Sequence, residues 1–484
     1  MFGSSGKMEE KVGRALVVLL IVTGTALTAP TANYGSADVD IVTLTYFGMD
    51  SLVSANFLEP AYRTGLSHLR ATYPHSNFTN RFISPPNTSS CGQLVDIHQD
   101  QLARWYYVER RPSAVPVIMA NGFLPSNGTE IYVELLIRQN WTTVTAVKDT
   151  ASPDLFRSIG DRLSRELDGS GITITARSLD VLRADLTELL TLIKNHCRVI
   201  LFFGGGAPLR RLLSAATDHH MTNGEYVYLA VQAFEHPRFG SFTWNTSPMS
   251  SRENNTDTDK LRAAYQSVLI LFLVQQDEND LAKVNELVPA WKNLSTVGTQ
   301  LPIPYLTSTY AAFELLGIVI NNSLGSNRSV QPSELLSGRS LAQQVINQTY
   351  HLKSGSLTLN GKAIRRITVA LKQLDSHSDL MEVIEVGSEN MDGTFTWTRR
   401  RNVSWFGQDH FPPNEPYCGY TGLAPKCLED RNGRFSRTAG STAAAVLVVL
   451  GTLLVSGWLL HKQHLQRSLW WNLAATDLSL SATP

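Results

Sequence analysis

Apolar positions fall into two continuous runs near the chain ends and short periodic groups between them. The first run is Ala15 to Ala26 (ALVVLLIVTGTA), preceded by Lys7, Lys11 and Arg14. A basic flank before about a dozen apolar residues is the pattern of a secretory signal peptide, since about twenty are needed to span a bilayer. Gly24, Thr25 and Ala26 supply small residues for cleavage, and the signal is placed within residues 1–29. The second run, Ala439 to Leu460, has twenty-two positions and no charge. At 1.5 Å per residue it covers about 33 Å, enough for a hydrocarbon core of about 30 Å. Its small residues Gly440, Ala444, Gly451 and Gly457 would let a second helix approach, though no GxxxG pair occurs.

Between these runs the periods alternate. Asp40 to Phe47 reads as a buried strand, and Leu58, Ala61, Tyr62, Leu66 and Leu69 share one helical face. Thr142 to Val147 is a β-branched strand ending at Lys148-Asp149. Ser152 then reads as a helix cap with Pro153 in the first helical position, continued by Phe156, Ile159, Leu163 and Leu167. Ile172 to Thr175 is the next strand, and Leu182, Leu186, Leu189, Leu190 and Ile193 the next helix. Arg198 to Phe203 is a continuous apolar strand of the kind buried on both faces of a parallel sheet. Gly204-Gly205-Gly206 turns into a helix from Pro208, and Tyr226 to Val231 is one more strand. This alternation predicts an α/β doubly wound unit with right-handed crossovers.

Composition adds constraints rather than chemistry. The 484 residues carry 42 Lys and Arg against 42 Asp and Glu, which removes the electrostatic reason to expect nucleic acid as a partner. A hydrophobic share of 43% with 17% charged residues excludes a disordered chain, and four cysteines exclude a disulfide-dense scaffold. Glycosylation sequons occur at Asn77, Asn87, Asn127, Asn140, Asn245, Asn254, Asn293, Asn321, Asn327, Asn347 and Asn402, all before the second apolar run. Lys426, Arg431, Arg434 and Arg437 precede that run while Lys462 and Arg467 follow it, against the positive-inside rule. A cleaved signal commits the long segment to translocation regardless of such charges, so the expected layout is a single-pass type I protein of the plasma membrane.

Two segments carry a family resemblance. Cys197-Arg198-Val199-Ile200-Leu201-Phe202-Phe203-Gly204, followed by Met221-Thr222-Asn223-Gly224-Glu225-Tyr226-Val227-Tyr228, resembles the second lobe of receptor-type guanylate cyclases and natriuretic-peptide receptors. Asn140-Trp141-Thr142-Thr143-Val144 resembles the entry into that lobe, Pro412 to Tyr420 ending at Cys427 the juxtamembrane disulfide loop, and Ser468-Leu469-Trp470-Trp471 the start of the cytoplasmic linker. The similarity covers most of residues 38–473. It implies a periplasmic-binding-protein type I-like bilobed ectodomain, built of two doubly wound parallel sheets, with a single transmembrane helix. Lobe 1 is expected at about 38–139 and 257–345, and lobe 2 at about 140–256 and 346–405. The juxtamembrane loop falls at 406–438, the span at 439–460 and a short tail at 461–484. The resemblance and the oxidising compartment together imply a Cys418–Cys427 disulfide. Only about fifty residues separate Cys91 from Trp141, where the family has a further strand and cysteine; lobe 1 is therefore expected to lack a central strand, leaving sheet edges unpaired. The family's kinase-like and cyclase domains would lie beyond Pro484, so no enzyme is expected in this chain.

Searches for enzyme chemistry return little. Gly204-Gly205-Gly206-Ala207-Pro208-Leu209 follows a strand like a dinucleotide loop, but Leu209 replaces the third glycine. His219 and His220 are adjacent and point to different helix faces, a poor metal pair. Cys197 opens an apolar strand and reads as a core cysteine. No cofactor and no metal are expected. Ligands of open α/β sheets bind beyond the carboxyl ends of strands. That geometry nominates Asp50 and Ser51 in lobe 1 and Asp149, Thr150, Gly205, Gln232, Phe234 and Glu235 in lobe 2. An ordinary strand-end loop is the alternative for each. The expected partners are an extracellular peptide or small molecule, the membrane, and a second copy or a full-length receptor; the alternatives are a fragment of a full receptor guanylate cyclase making cyclic GMP, and a decoy or dominant-negative receptor or an adhesive glycoprotein without a ligand.

Overall fold

The computed structural model describes residues 37–45, 51–83, 100–111, 113–120, 129–168, 170–245, 255–274, 278–298, 300–326, 336–416, 418–420, 424–425, 427 and 446–465. Asp50 and Cys91 lie outside them, as do the sequons at Asn87, Asn127, Asn254 and Asn327.

The first lobe opens with β1 (Asp38–Leu44), α1 (Ala55–Thr72), β2 (Asn77–Ile83) and β3 (Val115–Ala120). Val39, Ile41 and Val42 are all buried, so β1 occupies the middle of a parallel sheet ordered β2-β1-β3. Both sides of β1 are thus paired, with β3 bonding to it directly. Asp40 carries the one buried charge of β1. It accepts from the Arg111 side chain at 3.0 Å, the Arg111 backbone N–H at 3.2 Å and the Thr79 hydroxyl at 2.5 Å. Burial acts to raise the Asp40 pKa, but these bonds outweigh it and hold the carboxyl below its ordinary 3.8.

The second lobe follows as α2 (Glu130–Arg138), β4 (Thr143–Asp149), α3 (Asp154–Leu167), β5 (Thr173–Leu179), α4 (Thr187–His196), β6 (Val199–Phe203), α5 (Gly206–Asp218), β7 (Val227–Gln232), α6 (Asn255–Ala264) and β8 (Val268–Val274). The chain returns to lobe 1 with α7 (Glu278–Leu294), α8 (Ile303–Ser326), α9 (Gly338–Val345) and the hairpin β9 (Thr349–Leu352) and β10 (Gly355–Thr358). Strands β11 (Thr368–Leu374), β12 (Met381–Glu389) and β13 (Phe395–Arg399) complete lobe 2. Its sheet has eight strands ordered β13-β12-β11-β8-β7-β6-β4-β5.

Three expectations are corrected here. First, the lobe 2 sheet is mixed: β5, β4, β6, β7 and β8 run parallel, while β11 is antiparallel to β8 and β12, and β12 to β13. Short turns join β11 to β12 and β12 to β13, and short turns connect only antiparallel neighbours. Second, the lobe boundaries move. Helix α2 belongs with lobe 2, where Tyr132 packs on Phe203 and Arg138 pairs with Glu385. Strand β8 pairs with β7, so lobe 2 extends past 257 to Val274. The β9–β10 hairpin belongs with lobe 1, because Glu314 of α8 accepts from the backbone N–H groups of Lys353 and Ser354, and Asp280 of α7 from that of Ser356. Third, Pro153 precedes the first turn of α3, and Ser152 does not cap that helix.

Lobe 1 is closed by α8 lying on α1. Phe313 meets Tyr62 edge-on at 6.0 Å, and a Cβ at Gly65 would lie 2.7 Å from the Phe313 ring, so only glycine permits this approach. The Trp291 indole of α7 donates to the Thr64 hydroxyl at 3.0 Å. Helix α8 is apolar enough to span a membrane over Ile303–Leu324, yet 78% of that window is buried, which makes it a core helix. Cys197 is buried as expected, with Sγ 3.0 Å from the Thr145 hydroxyl.

Residues from Glu415 onward form a separate unit. It contains the expected Cys418–Cys427 disulfide and the apolar helix α10 (Val446–Leu465), exposed along its length. The described helix starts at Val446, residues 439–445 of the apolar run lying outside those described. At its carboxyl end the Lys462 ammonium sits 5.3 Å over the Trp458 ring, an aromatic–basic pair of the kind found at membrane–water interfaces.

Candidate functional site

The parallel strands of lobe 2 deliver their carboxyl ends to one edge, where Asp149, Gly204 to Gly206 and Gln232 to Phe239 gather. Asp149 has no exposed surface. Its Oδ1 accepts from the Val181 backbone N–H at 2.8 Å, and its Oδ2 from the Ser152 hydroxyl at 2.6 Å. Ser152 in turn accepts from the Gly205 N–H at 2.8 Å. The carboxylate therefore ties the ends of β4 and β5 to the start of α5, and is committed within the protein. Thr150 is exposed, but its N–H donates to Leu179. Gly205 caps α5 beneath the 239–242 loop: a Cβ there would stand 2.8 Å from the Phe239 carbonyl oxygen, and one on Gly206 only 1.9 Å from that of Ser241.

The loop after β7 bridges the lobes. Phe234 meets Tyr305 of α8 at 5.3 Å with perpendicular rings and Phe239 at 4.9 Å. Phe239 also packs on Phe156. The Arg238 guanidinium lies 5.0 Å over Phe57 in the first turn of α1. His236 is buried within this group, and burial, aided by Arg238 and opposed by a hydrogen bond to the Gln300 backbone, lowers its pKa from 6.5.

Of the nominated residues, the structure joins Asp149 and Gly205 in one closed network through Ser152, leaves Thr150 exposed beside it, and places Phe234 in the interlobe contact. Ser51 precedes α1 and accepts from the Ser54 N–H. Gln232 is part-exposed and Glu235 exposed, so these two remain open at the strand ends. Sequence reading missed Lys372, whose ammonium lies 3.9 Å over the Phe272 ring, as well as Phe57, Arg238 and Tyr305. A lone lysine in the alternating run TVALKQL was its only signal. Among the described residues no three His, Cys, Asp or Glu side chains converge as a metal site.

A two-lobed α/β protein whose helices α7 and α8 return to the first lobe, and whose lobes meet at strand carboxyl ends, has the architecture of a ligand-binding clamp. Residues 125–376 match the family described as Receptor family ligand binding region, and the chain belongs to that family. It is a ligand-binding family rather than a catalytic one, homologous to the ligand-binding ectodomains of receptor guanylate cyclases and natriuretic-peptide receptors. A curated relative, the receptor-type guanylate cyclase gcy-7 of Caenorhabditis elegans, is 24% identical over 279 residues, covering 52% of this chain and 24% of its own length. The chain thus spans about a quarter of that relative. A solved branched-chain amino acid ABC transporter protein from Rhodospirillum rubrum aligns with 72% of this chain and 100% of its own, at 11% identity and a TM-score of 0.43.

Proposed function

We propose that this chain is the ligand-binding ectodomain and membrane anchor of a single-pass type I cell-surface receptor. The carrying observation is the family match over 125–376, which spans the loop joining Phe234 to Tyr305 across the two lobes. An extracellular peptide or small molecule would shift the balance between lobe arrangements, and the juxtamembrane segment would pass that shift to the span. A signal at 1–29 and a span near 439–460 would put residues 38–405 outside the cell. Exposure of every described sequon asparagine (Asn77, Asn140, Asn245, Asn293, Asn321, Asn347 and Asn402) supports glycosylation. The contacts open to a ligand are Ser51, Thr150, Gln232 and Glu235, with Asp149 and Gly205 shaping the edge beneath them.

The relationship to gcy-7 favours a second reading, in which the chain is part of a receptor that makes cyclic GMP. In that case synthesis belongs to cytoplasmic domains, and this chain binds, sequesters, or pairs with a full-length partner. Cyclic GMP formation by the 484-residue chain alone would overturn the assignment of catalysis elsewhere. The receptor reading is tested by thermal-shift screening of the full chain against extracellular peptides and small metabolites. A ligand-dependent rise in melting temperature is expected. A folded chain that no ligand stabilises would point to the adhesive glycoprotein instead.

A further inference from the structure

Alternation along paired strands puts Gln232, Phe272, Thr368 and Lys372 on one face of the lobe 2 sheet. Gln232 is in register with Phe272 and Phe272 with Ala370, while Thr368 and Lys372 lie two positions to either side of Ala370. All four are part-exposed; Gln232, Phe272 and Thr368 lie toward the end where β7 and β8 finish, and Lys372, opposite Ile270, lies two residues further back along β8. The neighbouring parallel strands carry fully buried residues on this face, such as Tyr228, Ala230 and Ile270. The sheet therefore opens as it reaches the interlobe loop.

Lys372 has the chemistry of an unfilled anion site. Its ammonium is held over the Phe272 ring, and among the described residues it has no hydrogen-bond or ion-pair partner. A half-buried cation without a counter-ion is unfavourable, and cation–π attraction offsets only part of that. Burial lowers the lysine pKa, and the carboxylate of Glu235 opposes the shift without forming a pair. Glu235 follows directly on Phe234, whose ring touches Tyr305 of the other lobe. Gln232 shares the face, in register with Phe272.

We infer that Lys372, Glu235, Gln232 and Phe272 form a binding site for a small organic carboxylate that also carries a hydrogen-bond donor. The carboxylate would replace the missing counter-ion of Lys372, the donor would meet Glu235, and the carbon skeleton would lie against Phe272. A carboxylate alone would feel the charge of Glu235, so a hydroxy acid binds better than its unsubstituted analogue. This inference rests on the receptor reading and gives the ligand of that same cleft its chemical class.

The test uses the purified full chain in detergent and thermal shift at constant ionic strength. The probes are lactate, acetate, methyl lactate and chloride. Saturable stabilisation is expected from lactate, weaker stabilisation from acetate, and none from methyl lactate or chloride. Lys372→Met should weaken lactate binding by about tenfold or more, the scale of losing a hydrogen bond to a charged group, while Lys372→Arg retains it. Glu235→Gln, on an exposed residue that leaves the fold intact, should erase the preference for lactate over acetate. This second variant keeps the inference falsifiable should Lys372→Met misfold. Absence of a saturable lactate shift in the folded wild type, or an equal shift in wild type and Lys372→Met, overturns it. A peptide that stabilises wild type and Lys372→Met equally would overturn this site while leaving the receptor reading intact.

Discussion

The Trp141 indole Nε1 donates to the Pro412 carbonyl oxygen at 3.0 Å, joining the entry of lobe 2 to the first part of the 406–438 juxtamembrane segment. Asn414 reinforces the junction, its Oδ1 accepting from the backbone N–H groups of Thr142 and Thr143 at 2.9 Å. Phe411 fills the space between Trp141 and Trp405, with ring centroids 5.9 and 5.4 Å away. Movement of β4 therefore reaches residue 414 through a packed and bonded joint. Asn414→Ala should lower stability by about 1–2 kcal/mol, the two bonds accepted by Oδ1 and the one its Nδ2 donates to the Thr142 hydroxyl being lost at the surface, and Trp141→Ala by about 3–5 kcal/mol. Denaturant melts of the two variants check both values, and an Asn414→Ala melt matching wild type would show the joint to be slack.

Asp149 is predicted to act in folding rather than in ligand contact. Asp149→Ala leaves the Val181 N–H and the Ser152 hydroxyl without their buried acceptor, at about 1–3 kcal/mol each. Gly206→Ala should be at least as damaging, because its Cβ would overlap the Ser241 carbonyl. Both are read by melting temperature in the absence of any ligand. A normal melt with lost ligand binding in Asp149→Ala would return that residue to the ligand site.

Acidification should loosen the interlobe contact through His236. Its folded pKa lies below 6.5, so the unfolded chain takes up a proton first as pH falls. Stability is then full above 6.5 and declines as pH drops from there through the folded pKa. Melts between pH 7.5 and 5 should show this decline, and His236→Gln should flatten it. An identical slope in the variant would assign the effect to other groups.

In lobe 1, Arg111→Met removes the partner of a mostly buried carboxylate. The expected cost is about 2–3 kcal/mol, below the full value for a buried pair because Arg111 is itself part-exposed. The depressed Asp40 pKa gives a matching pH signature: stability present above 3.8 is lost as pH falls through the lower folded value. Wild type should show this acid limb, and Arg111→Met should have most of it removed.

Endoglycosidase treatment of the chain made in a secretory host should reduce its mass, since seven described sequon asparagines are exposed. An unchanged band would reverse the proposed topology.

The middle of the chain was legible because buried parallel strands announce themselves as apolar blocks. VILFF is buried at every position, and β4 to β7 fall within a residue or two of the expected limits, with β5 running on to Leu179. Strands β11 to β13 were not read, because TVALKQL and MEVIEVGSE mix charged and apolar residues on a sheet with one half-open face. The lobe boundaries were misplaced for a related reason. Nothing local to α2 says which lobe its Tyr132 will face; that depends on Phe203, far along the chain. The same holds for the site. Lys372 and Phe272 meet only because β11 pairs with β8, and Asp149 looked like a ligand contact until its acceptors were filled by Val181 and Ser152.

The return of α7 and α8 to lobe 1 has a consequence for biosynthesis. Strands β4 to β8 and their helices occupy one unbroken stretch, 130–274, and can assemble as soon as it leaves the ribosome. Lobe 1 cannot: Phe313, which packs on Tyr62 of α1, and Trp291, which donates to Thr64, come more than two hundred residues later. The segment translated first thus waits for its covering helices until the five parallel strands of lobe 2 have been made. During that interval its apolar residues stay open to folding helpers, and damage to α8 would be felt as a failure of maturation before any failure of binding.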